Sequence, residues 1–176
     1  MSQEQGSDKP SVECNLVQKS ENESDCLIRA LFNVNVRLFK DNKKYRKIIL
    51  KVCDYMEEVM SQEYCDYPKL AGLSGANIGI PFNIIAIAQE RDIMILINPS
   101  IIQMSKQTKV LHTNCGSLRL PAKYPVVRRE WVKVSYYDTT GNHHQKRFTL
   151  AENGATVQHE IDHNKGILIT DNNKHL

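Results

Sequence analysis

The six residues QHEIDH, positions 158 to 163, constrain the fold more than any other stretch of the chain. They put His159 and His163 four places apart with Glu160 beside the first. On a helix, residues i and i+4 lie one above the other on the same face. The spacing therefore predicts a helix whose two imidazoles can grip one ion, and neutral imidazole suits zinc, iron, nickel and cobalt. Glu160 is placed to move a proton without being a ligand, the logic of an HExxH pair. Asp162 either orients a ligand or faces solvent. A histidine pair on a surface helix is the plainer reading of so short a pattern, so the surrounding sequence has to decide.

That surrounding sequence reads as one α+β domain. Residues 43–63 space Ile48, Ile49, Val52, Met56, Val59 and Met60 as one apolar stripe of an amphipathic helix. The stretch YPKLAGLSGANIGIP follows, and its Gly72, Gly75 and Gly79 between Pro68 and Pro81 mark a loop of close backbone approach. It lacks the Gly-Lys-Ser/Thr ending of a phosphate loop. NIIAIAQ, IMILINP and WVKVSYYD are rich in β-branched and aromatic residues and read as strands, with DTTGN as a hairpin turn. Glu152 or Asn153 is the expected cap of the late histidine helix, which should stop near Gly166. Residues 1–24 are polar and read as a disordered tail, leaving 25–176 as the single domain. No internal repeat is visible.

Composition narrows the class. A net charge of +3 with scattered basic residues does not argue for nucleic acid, and the Lys43–Lys47 cluster reads as a solvated helix face. Five cysteines at irregular spacing without a CxxC argue against a disulfide framework and for reduced thiols. No apolar run reaches the roughly 18 residues that a membrane helix needs, and the polar N-terminus has no signal-peptide core, so the expected location is the cytoplasm. His112, His143, His144 and His175 are expected at the surface, and Trp131 in the core.

Four stretches, in order, resemble the peptide deformylases. HEIDHNKG is similar to that family's HExDHxxG motif. VVRREWVKVSYYDTTG looks like its V-x-R-x-x-x-V-x-V-x-Y-x-D-x-x-G core, ILINP matches its Asn-Pro strand ending, and GLSGANIGIP is similar to its first motif. The resemblance covers roughly residues 30–172. It implies an α+β fold with antiparallel sheets around a central helix bearing HEIDH. It also implies a metal-dependent amidase that removes the formyl group from formyl-methionyl peptides.

The chain departs from the family where chemistry is done. The first motif ends in a Gln whose amide holds the oxyanion; here that place is Asn77, one methylene shorter. An oxyanion donor left out of reach costs about 2 to 4 kcal/mol unless the backbone moves in. The second motif, Glu-Gly-Cys-Leu-Ser, supplies the third metal ligand through its Cys and the second oxyanion donor through the next backbone N–H. Aligned without gaps, CGSLRLP puts Ser117 at the ligand position and Leu118 at the donor. Three readings stand in that order: Ser117 or a water as a weak third ligand; Cys115, at the cost of a two-residue gap before Pro121; or loss of the metal.

The resemblance then implies a set of roles. Glu160 shuttles the proton, Leu118 N–H and Asn77 hold the oxyanion, and His159, His163 and Ser117 (or Cys115) hold one divalent ion, iron or zinc, with nickel or cobalt as alternatives. Gly72, Ser74 and Gly116 line the substrate. The partners implied are an N-formyl-Met peptide or nascent chain and the ribosome, with no membrane and no specific nucleic acid. The rival of another class is a non-catalytic paralogue that binds peptide without turnover. An HExxH peptidase on a different fold is the third reading.

Overall fold

The computed structural model describes residues 32–61, 70–116 and 122–171. The expected tail, 1–24, lies outside the described residues.

Two helices open the described chain. α1 (Val36–Asp41) starts at Asn35, whose side chain accepts the Leu38 N–H at 3.0 Å, an ordinary N-cap. α2 (Lys43–Ser61) follows, with Asn42 Oδ1 taking the Tyr45 N–H at 3.0 Å. The buried stripe of α2 is Ile49, Cys53, Met56, Val59 and Met60. Ile48, expected in that stripe, is 48% exposed. The stripe is centred about one residue further round the helix, where the small Cys53 fills the place between Ile49 and Met56.

Seven strands follow among the described residues, all paired antiparallel. β1 (Gly72–Ser74), β2 (Ile84–Ala88), β3 (Ile93–Met104), β6 (Trp131–Tyr137) and β7 (His143–Thr149) form a sheet in the order β1-β2-β3-β6-β7. β4 (Thr108–Thr113) and β5 (Tyr124–Arg129) form a separate two-stranded sheet. The last helix among the described residues is α3 (Gly154–Asn164), which carries HEIDH and packs against β1, β2, β5, β6 and β7. Antiparallel sheets around one helix is the α+β architecture expected.

The larger sheet is covered on both faces, which explains why IIAIA reads as an unbroken apolar run rather than an alternating one. Ile84 and Ala86 turn toward α2, with Ile49, Met56 and Leu73. Ile85 and Ile87 turn the other way, with Val132, Val134, Phe148 and the α3 residues Val157 and Ile161. A smaller cluster of Cys115, Val126 and Ile169 lies by the two-stranded sheet.

The recurring letters of the strand motif have separate physical jobs. Val126, Arg128, Val132, Val134 and Tyr136 alternate and are all buried. Asp138 closes the β6–β7 turn: one carboxylate oxygen accepts the N–H groups of Thr140 and Asn142 and the Thr140 hydroxyl, while the other meets His144 Nε2 at 2.7 Å. Gly141 completes that turn at φ +90°, where an L side chain is strained. Asn98 of ILINP sits at φ 54° where the β3–β6 register shifts, and its amide clasps both the N–H and the C=O of Val34 at 2.8 Å. Trp131 is half-buried rather than core, with the Arg147 guanidinium 4.1 Å above its ring.

Candidate metal centre and catalytic site

The start of α3 is set by packing rather than by a side-chain cap. Asn153 occupies the N-cap position at φ 63°, but its side chain donates to Ala88 C=O at 3.0 Å instead of capping the helix. Glu152, the other expected cap, accepts the Thr149 hydroxyl at 3.1 Å. Gly154 is pressed so close that an added Cβ would lie 2.5 Å from the Thr149 carbonyl oxygen. Gln158 then staples the helix to β5: its carbonyl takes Arg129 N–H at 2.9 Å, and its amide donates to Arg129 C=O at 3.0 Å and Gly154 C=O at 2.9 Å. At the far end Asn164 donates to Asn83 Oδ1 and to Ile84 C=O.

A helix fixed at both ends holds its histidines in register. The Nε2 atoms of His159 and His163 are 3.0 Å apart, with the rings edge-to-face. Cys115, buried at the end of β4's continuation, brings its Sγ to 3.3 Å from His163 Nε2. The three donor atoms of Cys115, His159 and His163 all lie within 4.8 Å of one another. Tetrahedral coordination at the usual Zn–S and Zn–N lengths sets donors about 3.3 to 3.6 Å apart, so the spacing suits a single ion with little adjustment. The donor set, one sulfur and two imidazoles, also suits zinc or iron. Ser117 and Leu118, the positions given by gapless alignment, lie outside the described residues.

Burial tunes the groups around this point. It pushes His163 down to about 4, and holds His159 well below its ordinary value, with help from the closeness of the second imidazole and the Arg128 charge. Both imidazoles are thus neutral at physiological pH, which is the ligating form. Burial pushes Glu160 up to about 8, and its Oε2 has no hydrogen-bond partner among the described residues. Arg128 reaches in from β5, almost fully buried, to pair with Asp162, and its second nitrogen lies 3.5 Å from His159 Nδ1. Asp162 is therefore half-buried and tied to β5 through Arg128, rather than simply facing solvent.

The first motif folds into β1 and a single 3-10 turn, Gly75–Ile78. Asn77 is buried in that turn; its Oδ1 accepts from Ser74, and its Nδ2 is buried without a partner among the described residues. Gly72 is the place where α3 meets β1: a Cβ there would lie 2.5 Å from Thr156 Cγ2 and 2.8 Å from Glu160 Oε1. Gly116 directly follows Cys115 and is exposed. Sequence reasoning gave no role to Gln158 and none to Arg128. The arginine was nevertheless visible as a fixed letter of the strand motif; Gln158 had no such signal.

The fold and this centre define a class: an α+β protein whose central helix carries an HExxH pair, with a cysteine from the segment just after β4 beside it. The sequence model of the family described as polypeptide deformylase matches residues 24–176. The chain belongs to that family, whose members are metal-dependent hydrolases. A peptide deformylase of Dictyoglomus thermophilum is 31% identical over 150 residues, covering 82% of this chain and 92% of that protein. One from Chloroflexus aurantiacus is 35% identical over 117 residues, or 57% of this chain, and the match spans 61% of that relative's length. A class I type b peptide deformylase from Acinetobacter baumannii superposes with a TM-score of 0.69 at 25% identity, covering 89% of this chain and 97% of that one. Among the described residues no helix is long and apolar enough to cross a membrane.

Proposed function

We propose that the chain is a metal-dependent amidase that removes the formyl group from formyl-methionyl peptides or nascent chains. Cys115, His159 and His163 hold its one divalent ion. The observation that carries this is the convergence of the three donor atoms within 4.8 Å, two of them on imidazoles that burial keeps neutral. A thiolate at Cys115 brings the negative charge that a hydroxyl at Ser117 cannot, and partly neutralises the ion. When bound, the ion acidifies water and polarises the formyl carbonyl.

The protein side of the reaction is built from three groups. Glu160, raised toward neutrality by burial, takes a proton and returns it to the leaving amine. The unpartnered Nδ2 of Asn77 donates to the oxyanion. With Cys115 as ligand, the residue that follows it is Gly116, so its backbone N–H takes the second donor role in place of that of Leu118. Lack of a side chain at Gly116 leaves that N–H open to a peptide substrate.

The test is formate release from a formyl-Met tripeptide by protein loaded with iron, nickel or zinc. Release that needs the formyl group and stops on chelation supports the reading. Full metal uptake with no formate release would favour the non-catalytic paralogue. Cleavage of unformylated internal peptide bonds would favour a peptidase.

A further inference from the structure

Resting on that reading, we infer that Ser74 is a positioning residue that locks the Asn77 side chain with its amide nitrogen facing the reaction. Three contacts carry this. The backbone N–H of Ser74 points at an Asn77 side-chain atom 3.2 Å away. An N–H can only donate, so that atom is the carbonyl Oδ1, and Nδ2 must be on the other side. The Asn77 backbone N–H donates to Ser74 Oγ at 3.3 Å, which occupies a lone pair of the hydroxyl. The hydroxyl hydrogen is then directed to Oδ1, the third contact. Each residue fixes the other, and the amide cannot flip without leaving the Ser74 N–H facing another N–H.

The burial of both residues makes the lock consequential. Ser74 is 0% exposed and Asn77 3% exposed, so water cannot replace either contact. The two oxygen-directed bonds use the acceptor end of the amide fully, while Nδ2 is buried with no partner among the described residues. Nearly all buried donors are satisfied, and an unsatisfied one aimed from a fixed frame is a group waiting for an acceptor. The Ser74 hydroxyl is committed to Asn77 on one side and accepts from its backbone on the other. It therefore acts through Asn77 rather than on the substrate. The lock also bears on the shortened side chain: Asn in place of Gln gives up reach, and holding its amide in one orientation offsets part of that loss by pre-organisation.

A double-mutant cycle on metal-loaded protein tests the inference. The four proteins are wild type, Ser74→Ala, Asn77→Ala and the double variant, each assayed for formate release. Ser74→Ala removes the hydroxyl contact to Oδ1 and the acceptor of the Asn77 N–H but keeps the Ser74 backbone N–H contact, so kcat is expected to fall about three- to tenfold with KM within about twofold, because a loosened amide donates less well in the transition state. In the Asn77→Ala background the same change should cost nothing further. Equal losses in both backgrounds, or an unchanged kcat, would overturn the inference, since a structural role acts whether or not the amide is present. The Asn77 side-chain NH2 pair in a 1H–15N spectrum gives a readout free of turnover. It should be sharp and slow to exchange in wild type, and broadened and faster to exchange in Ser74→Ala, where only the backbone N–H contact to Oδ1 remains. If wild type releases no formate, the deformylase reading fails by itself. The spectrum still decides on Ser74: a broadened, faster-exchanging pair upholds the lock, and an unchanged pair overturns it.

Discussion

At the scale of single residues the chemistry depends on where charge is kept out. His159 and His163 are deprived of protons by burial, and Glu160 is made to hold one nearer neutrality by the same cause. Glu160→Gln keeps the shape but cannot accept a proton, so formate release should fall by about 100-fold or more while metal content stays at wild-type level. An active Gln variant would mean that the proton carrier has been misassigned. The histidine pair and Glu160 were legible in the sequence because helical spacing alone puts them together. The third donor was not. Cys115 and Ser117 are two places apart, and alignment by spacing to Gly116 and Pro121 favours the serine. Only the path of the chain after β4 brings the Cys115 sulfur to His163.

At the scale of elements, the site exists because α3 is pressed onto β1 and stapled to β5. Gly72 is the closest approach. Gly72→Ala would push a methyl into Thr156 and Glu160, an overpacking cost of about 1 to 3 kcal/mol, and would move the Glu160 carboxylate with it. Thermal unfolding should shift down and formate release should fall, whereas an unaffected variant would remove Gly72 from the account. Strands β2, β3 and β6 and the helices α2 and α3 could be read from β-branched runs and helical periodicity. The β4–β5 pair could not, because its exposed valines, Val110 and Val127, and its buried Arg128 break the usual apolar-in, polar-out alternation. The α3 cap position was legible, since Asn153 does stand at the N-cap, but its amide is drawn to Ala88 by the tertiary fold instead of capping the helix.

At the scale of the molecule, two buried layers enclose the larger sheet, and the α2 layer includes a thiol. Burial pushes Cys53 up to about 12 from an ordinary value near 9. Because the folded protein holds this proton more tightly than the unfolded chain, the stability that this thiol contributes is fully present below about pH 9. It is then lost as pH rises from there toward 12, by about 1.4 kcal/mol per unit. Urea unfolding at pH 8 and pH 10 should therefore show a larger alkaline loss in wild type than in Cys53→Ala, where the group is gone. Equal losses would place the thiol in contact with water.

The central claim is that Cys115, not Ser117, completes the metal centre, and metal titration tests it most directly. Wild type should take up one zinc or iron per chain, Cys115→Ser should lose tight uptake with the fold intact by circular dichroism, and Ser117→Cys should change affinity little. Tight uptake by Cys115→Ser together with tighter uptake by Ser117→Cys would contradict it and return the ligand to position 117.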